Sequence, residues 1–345
     1  MIDLTAGTSI TIIFLVTGLL ATAAVRAWAN HRNLLVIPSD RCSHEIPTPH
    51  GGGIAIAILI ITLGILALAF SWLPDQISAW AFIGLGAAML AIGVWDDFGQ
   101  VSAKIRLGLH FLVAILGLLS LPTLPVISFF GFQIDTAATL LLWPLLIAAW
   151  VWLINLYNFM DGIDGLAAVQ ALLLFAGMAL NFWYIGNQDW AWVCVFMAST
   201  VLSFMVFNWP PAKIFMGDGG SGFLGFAIGF LALLSAALTN VSLWSWAILL
   251  TLFIGDATAT LLVRLSTGQN VLEAHRSHAY QILSRKLRGH LPVTLGYGAA
   301  ILLCLMPLSW LANIYPDMGF GLFITTFTIA FAFAYKLGCG RPEVA

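Results

Sequence analysis

The sequence predicts an all-α polytopic membrane protein of about eleven transmembrane helices, with a periplasmic amino terminus and a cytoplasmic carboxyl terminus, in one domain over residues 1–345. Three observations predict it. The chain is 61% hydrophobic and only 8% charged, and its mean hydropathy of +0.99 lies far above that of a soluble domain. Apolar stretches of about 20 residues, enough to cross a bilayer core as helix, recur from end to end. All thirteen Lys and Arg fall on one set of alternate inter-span segments, while Asp3, Asp75, Asp135, Asp189 and Asp317 fall on the other set. Insertion energetics hold basic residues on the cytoplasmic side, which fixes the orientation.

In order, the spans fall near residues 8–29, 51–71, 78–95, 104–121, 137–156, 164–185, 190–208, 219–239, 243–264, 292–312 and 319–337. The first lacks the basic start and small-residue cleavage site of a signal peptide, so it reads as a retained helix. The others are short and closely spaced, as in a compact bundle. Trp72, Trp80, Trp143, Trp190, Trp192, Trp244 and Trp246 sit near predicted ends, where amphipathic rings favour the headgroup belt, although core aromatics would look the same. Between the fourth and fifth spans, LPTLPVISFFGFQI at 121–134 has proline punctuation and alternating apolar residues, the pattern of a short outer hairpin. Cys42, Cys194, Cys304 and Cys339 show no metal-ligand spacing, and neither zinc nor a disulfide is expected. The basic inner face suits anionic membrane lipid or a phosphorylated substrate, and no nucleic-acid motif is present.

Five inner-face segments hold nearly all the distinctive polar residues: SHEIPTPHGGG at 43–53, GVWDDFGQVSAKIR at 93–106, NLYNFMDGIDGLA at 155–167, NWPPAKIFMGDGGSGFLG at 208–225 and EAHRSHAYQ at 273–281. In a chain that avoids charge, carboxylates at membrane exits mark chemistry. Asp96 and Asp97 end the third span, where adjacent carboxylates repel unless they share a cation or proton; the bland alternative is a pair of solvated loop acids. Lys104 returns over the same patch as a point charge for phosphate, whereas Arg106 reads equally well as a basic anchor. Asn158, Asp161 and Asp164 stand three residues apart, so one helical turn puts three oxygen donors on one face, and Gly162 and Gly165 let the backbone approach a ligand. The spacing of a calcium loop is absent, and oxygen ligands this sparse suit Mg²⁺ shared with substrate phosphates. A helix cap is the alternative for Asp164.

FMGDGGSGFLG sets Asp218 among Gly217, Gly219, Gly220 and Gly222 at a helix start, where backbone amides cradle phosphate and the acid holds a bridging metal. Phe215 beside it is suited to stack on a base or to anchor at the interface. His275, Arg276 and His278 lack the third close His or Cys of a metal site, and the Arg between them points to a phosphate clamp. Asp256, mid-way along the ninth span, reads either as functional or as a helix–helix hydrogen bond.

With PTPxGGG, DD, NxxDGxDGLA, FMGDxGS and a final His-bearing loop in this order, the chain resembles the polyprenyl-phosphate N-acetylhexosamine-1-phosphate transferases of glycosyltransferase family 4 over almost its whole length. The resemblance implies transfer of a sugar 1-phosphate from a UDP-N-acetylhexosamine to undecaprenyl phosphate, with release of UMP, in the bacterial cytoplasmic (inner) membrane and at a site facing the cytoplasm. HRSHAYQ at 275–281 departs from the triple-His loop of the peptidoglycan translocase and from the HIHH of the common-antigen enzyme. It looks like the branch that begins O-antigen or related lipopolysaccharide glycans, with donors of the UDP-GlcNAc, UDP-FucNAc or UDP-QuiNAc type. Carried over by position, the resemblance implies Asp96 and Asp97 as the pair that activates the lipid phosphate. Asp161 joins them among the catalytic carboxylates. It further implies Asp218 and Asn158 as Mg²⁺ ligands, with Mn²⁺ the alternative metal, and Asp164, Asn208 and Phe215 at the uracil. Lys104, His275, Arg276 and His278 would then surround the diphosphate, and a homodimer is implied as well. The reading from another class, a membrane transporter or lipid-linked sugar flippase, wants carboxylates near mid-bilayer and helices broken in symmetric halves, and only Asp256 favours it.

Overall fold

The computed structural model describes residues 2–37, 47–72, 75–99, 101–134, 140–271, 273 and 275–342. Arg41, Cys42, residues 43–46 of the first motif, Asp135 and the start of the span expected at 137–156 lie outside them.

A helix or a pair of helices lies under each predicted span. These are α1 (Leu4–His31), α2 (Gly53–Ala69), α3 (Gln76–Gly99), α4 (Ala103–Leu119), α5 (Trp143–Phe159), α6 (Leu166–Tyr184), α7 (Gln188–Asn208), α8 (Asp218–Leu238), α9 (Leu243–Leu249) with α10 (Thr251–Ser266), then, after a short α11 (Ala279–Lys286) in the intervening loop, α12 (His290–Ala300) with α13 (Met306–Ile314), and α14 (Pro316–Leu337). Among the described residues seven runs are long and apolar enough to cross a membrane: α1, α3, α6, α7, α8, the α12–α13 run and α14. The α9–α10 pair makes an eighth if it counts as one. α2, α4 and α5 have 17 residues each, about 25 Å of helix, the short end of what a bilayer core requires.

The bundle is organised round α8. Every residue from Gly219 to Ala236 is buried, as befits a helix that is apolar on all sides. α2, α3 and α5 pack against it, and glycines set the spacing. A Cβ on Gly93 would meet Gly219 Cα at 2.5 Å and the Asp218 carbonyl at 2.6 Å, one on Gly225 would meet Ile154 Cα at 2.7 Å, and Gly53 lies directly against Gly220. Close packing of backbones is what holds helices together in lipid, so these small residues bring the start of α8 up against the end of α3.

Two predicted straight spans are broken. The expected 243–264 helix bends by 69° between α9 and α10. There Thr251 Oγ1 bonds back to the Ile248 carbonyl, and buried Gln170 of α6 donates through Nε2 to the Leu249 carbonyl at 2.9 Å. The carbonyl freed by the bend thus has a partner where water is scarce. In the run from 290 to 314, a π-type turn at Ile301–Leu305 precedes Pro307, whose ring and missing N–H disrupt a regular helical bond there.

Two small ribbons complete the fold. Leu35–Val36 (β1) pairs antiparallel with Thr48–Pro49 (β2), a ribbon no sequence signal announces, and it brings His50 to the wall of the cavity described below. The expected hairpin is present as Ile127–Phe129 (β3) with Phe132–Ile134 (β4), turning through Phe130 and Gly131 at φ 49° and 85°, the double positive φ of a type I′ turn.

Candidate active site

The polar motifs, distant in sequence, converge on one cavity of about 320 Å³ whose wall includes Asp97, Asn158, Asp161, Asp164, Asn208, Phe215 and Asp218. One end of it is built on the start of α8. The N-cap of that helix is Gly217, at φ 77°, which offers no side chain to the first N–H groups. The Asp97 carboxylate from the last turn of α3 serves instead: Oδ1 accepts the Asp218 N–H at 2.8 Å and Oδ2 that of Gly219 at 3.1 Å. A negative charge therefore sits at the positive end of the helix dipole.

Asp96 faces elsewhere. It accepts the Val101 N–H at 3.1 Å and pairs with Arg106, whose Nη1 also lies 3.3 Å from Asp218 Oδ2. The adjacent acids are thus engaged by separate protein donors. Asn158 Nδ2 donates to Asp218 Oδ1 at 2.6 Å and to Ser221 Oγ at 3.1 Å, which ties α5 to the same group.

The opposite end is a clamp between two loops. Asn208 Oδ1 accepts the Gly165 N–H at 3.0 Å while its Nδ2 donates to the Ile214 carbonyl at 3.0 Å. Asp164 Oδ2 accepts the Ala212 N–H at 3.0 Å and lies 3.2 Å from His290 Nδ1, and Thr294 Oγ1 donates to the Asp164 carbonyl at 2.8 Å. Phe215 is fixed by its own backbone, donating to the Pro49 carbonyl and accepting from Gly52, both at 2.9 Å. Between the ends stands Asp161, whose carboxyl is pushed well above the ordinary carboxylate range by burial first and then by Asp218, Asp97 and Asp164.

Four residues expected at the diphosphate are not on the cavity wall. Lys104 is exposed. α4 starts behind its Ser102 cap, and at about 100° per residue Lys104 and Arg106 point to different sides, so Arg106 is the one that reaches the acids. His275 and His278 gather instead near Asp256: His278 Nδ1 is 3.4 Å from Asp256 Oδ1, and its ring stacks on His275 at 4.9 Å and on Tyr280 at 5.7 Å. Burial, then the charges of His278 and Arg264, lower His275 to about 4, so its ring is neutral at pH 7 and offers a phosphate no charge. Arg276 is half-buried, with its carbonyl accepting from Arg285 Nη1 at 2.9 Å. What reaches the cavity from this segment is Gln281. Asp256, 2% exposed, accepts the N–H groups of Ala279 at 2.8 Å and Tyr280 at 2.9 Å. It caps α11 and also takes the Tyr297 hydroxyl of α12 at 3.4 Å, so the helix–helix contact expected of it is present beside the cap.

His50, Arg106, Gln281 and His290 therefore complete the site beyond the residues expected to form it. The first three stand inside motifs that the sequence marks. His290 stands 126 residues beyond Asp164, and no sequence signal points to it. Among the described residues no three Asp, Glu, His or Cys side chains close round a point as a self-sufficient metal cage.

A sequence profile described as glycosyl transferase family 4 matches residues 79–236, from α3 to α8, the stretch that supplies the acid pair, the DGIDG loop and the FMGD helix start. A probable undecaprenyl-phosphate N-acetylglucosaminyl 1-phosphate transferase of Bacillus subtilis (strain 168) is 31% identical over 278 residues, which cover 79% of this chain and 75% of the relative. A phospho-N-acetylmuramoyl-pentapeptide-transferase of Prochlorococcus marinus is 28% identical over 291 residues, 76% of this chain and 75% of the relative. Its namesake in Geobacillus thermodenitrificans is 36% identical over 203 residues, 54% and 61% of the two chains. The similarity to the Bacillus relative spans most of both chains, and the profile match includes the segments that carry Asp97, Asn158, Asp161, Asp164, Asn208 and Asp218, so this chain belongs to glycosyltransferase family 4, the superfamily of polyprenyl-phosphate N-acetylhexosamine-1-phosphate transferases.

Proposed function

We propose that this protein transfers a sugar 1-phosphate from a UDP-N-acetylhexosamine to undecaprenyl phosphate, releasing UMP, at the cytoplasmic face of a bacterial inner membrane that it crosses eleven times. The observation that carries this reading is the convergence of Asp97, Asn158, Asp161 and Asp218 on one cavity at the ends of apolar helices. An oxygen of the acceptor phosphate attacks the β-phosphorus of the donor. The bond from that phosphorus to the oxygen bridging the two phosphates breaks, and UMP leaves with the oxygen. One phosphoanhydride replaces another, so the protein supplies mainly position and charge neutralisation.

Arg106, beside Asp96 and Asp218, is placed to offset phosphate charge. Both Asp97 oxygens are engaged by α8, which leaves Asp161, on the same cavity wall, as the carboxylate better placed to take a proton from the lipid phosphate. Mg²⁺ or Mn²⁺ fits the donor set, since Asp218 and a turned Asn158 amide offer two oxygens and such ions take most of their shell from water and phosphate. When bound, the metal neutralises the crowded diphosphate. Asp164, Asn208, Phe215 and His290 form the end that suits the uracil. An apolar groove of about 360 Å³, walled by Trp150, Leu153, Leu156, Leu250 and Ile254, runs along α5 toward Asn158 and suits the polyprenyl tail.

We take the donor to be of the UDP-GlcNAc, UDP-FucNAc or UDP-QuiNAc type, and the product to begin an O-antigen or related lipopolysaccharide glycan, because HRSHAYQ lacks the clustered histidines of the other branches. Purified protein given Mg²⁺, a polyprenyl phosphate and a panel of UDP-N-acetylhexosamines should release UMP with at least one donor. Silence across the panel would overturn the reading.

A further inference from the structure

Asp256 touches neither the cavity nor the groove, yet its two oxygens meet five polar groups. They take the N–H groups of Ala279 and Tyr280 at 2.8 and 2.9 Å and the Thr260 hydroxyl at 3.1 Å, with Tyr297 Oη and His278 Nδ1 each at 3.4 Å. A carboxylate so buried in a mostly apolar chain is costly to keep without such partners, and three of them, His278, Ala279 and Tyr280, form the start of α11.

The next link is Tyr280, the second residue of α11, which is fully buried. Its hydroxyl donates to the Phe159 carbonyl at 2.9 Å and is met by the Gly162 N–H. A side chain at Gly162 would overlap that hydroxyl, so glycine is what lets the loop close on it. The hydroxyl is thus held between the residue after Asn158 and the residue after Asp161. Residues 160–165 form no regular helix or strand, with few hydrogen bonds of their own, among them Asp161 N–H to the Asn158 carbonyl at 3.2 Å and Leu166 N–H to the Ile163 carbonyl at 3.4 Å. An outside tether therefore has leverage on where Asn158 and Asp161 stand.

We propose that Asp256 is a positioning residue for phosphoryl transfer that acts through Tyr280: the carboxylate fixes the start of α11, and the Tyr280 hydroxyl carries that position to the loop bearing Asn158 and Asp161. The inference rests on the transferase reading above. It also assigns α10 a part in the site, because Leu250 and Ile254, which wall the groove, stand next to and within the helix that carries Asp256.

Tyr280→Phe removes one oxygen and keeps the ring. We expect kcat for UMP release to fall between about tenfold and a hundredfold, as a misplacement of under an ångström does. KM for the UDP-sugar should stay within about twofold, since the uracil end is untouched. Hydrogen exchange of the amides in 156–165, measured without substrate, should accelerate by about tenfold while the thermal transition stays near that of the parent. Asp256→Asn should also lower kcat, and the double variant should fall no further than the worse single one, because both act through one contact. An unchanged kcat in Tyr280→Phe, unchanged exchange at 156–165, or losses that multiply in the double variant would each overturn the proposal. A parent protein that releases no UMP while Tyr280→Phe still loosens 156–165 would instead overturn the transferase reading and leave the positional link standing.

Discussion

Asp97 accepts two amide hydrogens of α8, so removing its carboxylate removes a helix cap as well as a cavity charge. Asp97→Ala should lower stability by about 0.5–2 kcal/mol, the range for a lost cap, along with turnover, whereas Asp218→Ala should leave the thermal transition nearly intact and cut UMP release by about a thousandfold or more. Normal turnover in Asp218→Ala would remove the metal assignment, and parental stability in Asp97→Ala would show that the cap lies elsewhere. Asp161 gives a pH test. Its folded pKa lies above its unfolded one, so its stabilising contribution is complete below the ordinary carboxylate pKa and is lost as pH rises through the folded value. Metal-free protein should therefore lose melting temperature as pH rises above the ordinary carboxylate range. Asp161→Asn should flatten that slope, and Mg²⁺ should restore most stability at the alkaline end. A slope that survives Asp161→Asn counts against the reading. The acids themselves were legible because charge is rare in this chain. What each acid binds was not, since Asp96 and Asp97 differ only by the direction each takes off the last turn of α3.

At the level of elements, the site depends on how closely α3 approaches α8. Gly93→Ala places a methyl against Gly219 and Asp218, which should cost about 1–3 kcal/mol as overpacking and lower turnover by shifting Asp97 off the α8 amides. Gly84 on the same helix faces open space, with nothing within 4 Å of an added Cβ, so Gly84→Ala should leave melting and activity alone. Equal behaviour of the two variants would mean that the crossing does not set the site. Helix existence was readable from apolar length, and the hairpin at 127–134 from the proline punctuation and alternating apolar residues of 121–134. The bend at Leu250 was not, because one of the groups that satisfy its freed carbonyls, the Gln170 amide, comes from another helix. Nor was α11, a short helix started by a carboxylate 23 residues upstream. The same blindness explains why the positions of Lys104 and the His275–His278 segment off the cavity wall, and of His290 on it, could not be read from the sequence.

Across the whole molecule, the proposed topology is open to a direct labelling test in a version with its four native cysteines replaced. A cysteine at the hairpin, Gln133→Cys, should react with an impermeant maleimide in cells with only the outer membrane opened, and Arg288→Cys only after the inner membrane is breached. The reverse pattern would overturn the orientation. By itself the sequence determined the membrane class, the helical runs, the family and the set of polar segments that carry chemistry, because hydropathy and rare charge are properties of composition and spacing. Only the tertiary structure decided which of those residues meet. Asp97 capping α8, Arg106 reaching Asp218, His290 against Asp164 and Tyr280 gripping the Asn158–Asp161 loop all join residues from separate helices or loops, and such contacts are fixed by how backbones pack at their glycines, not by the order of residues along any one segment.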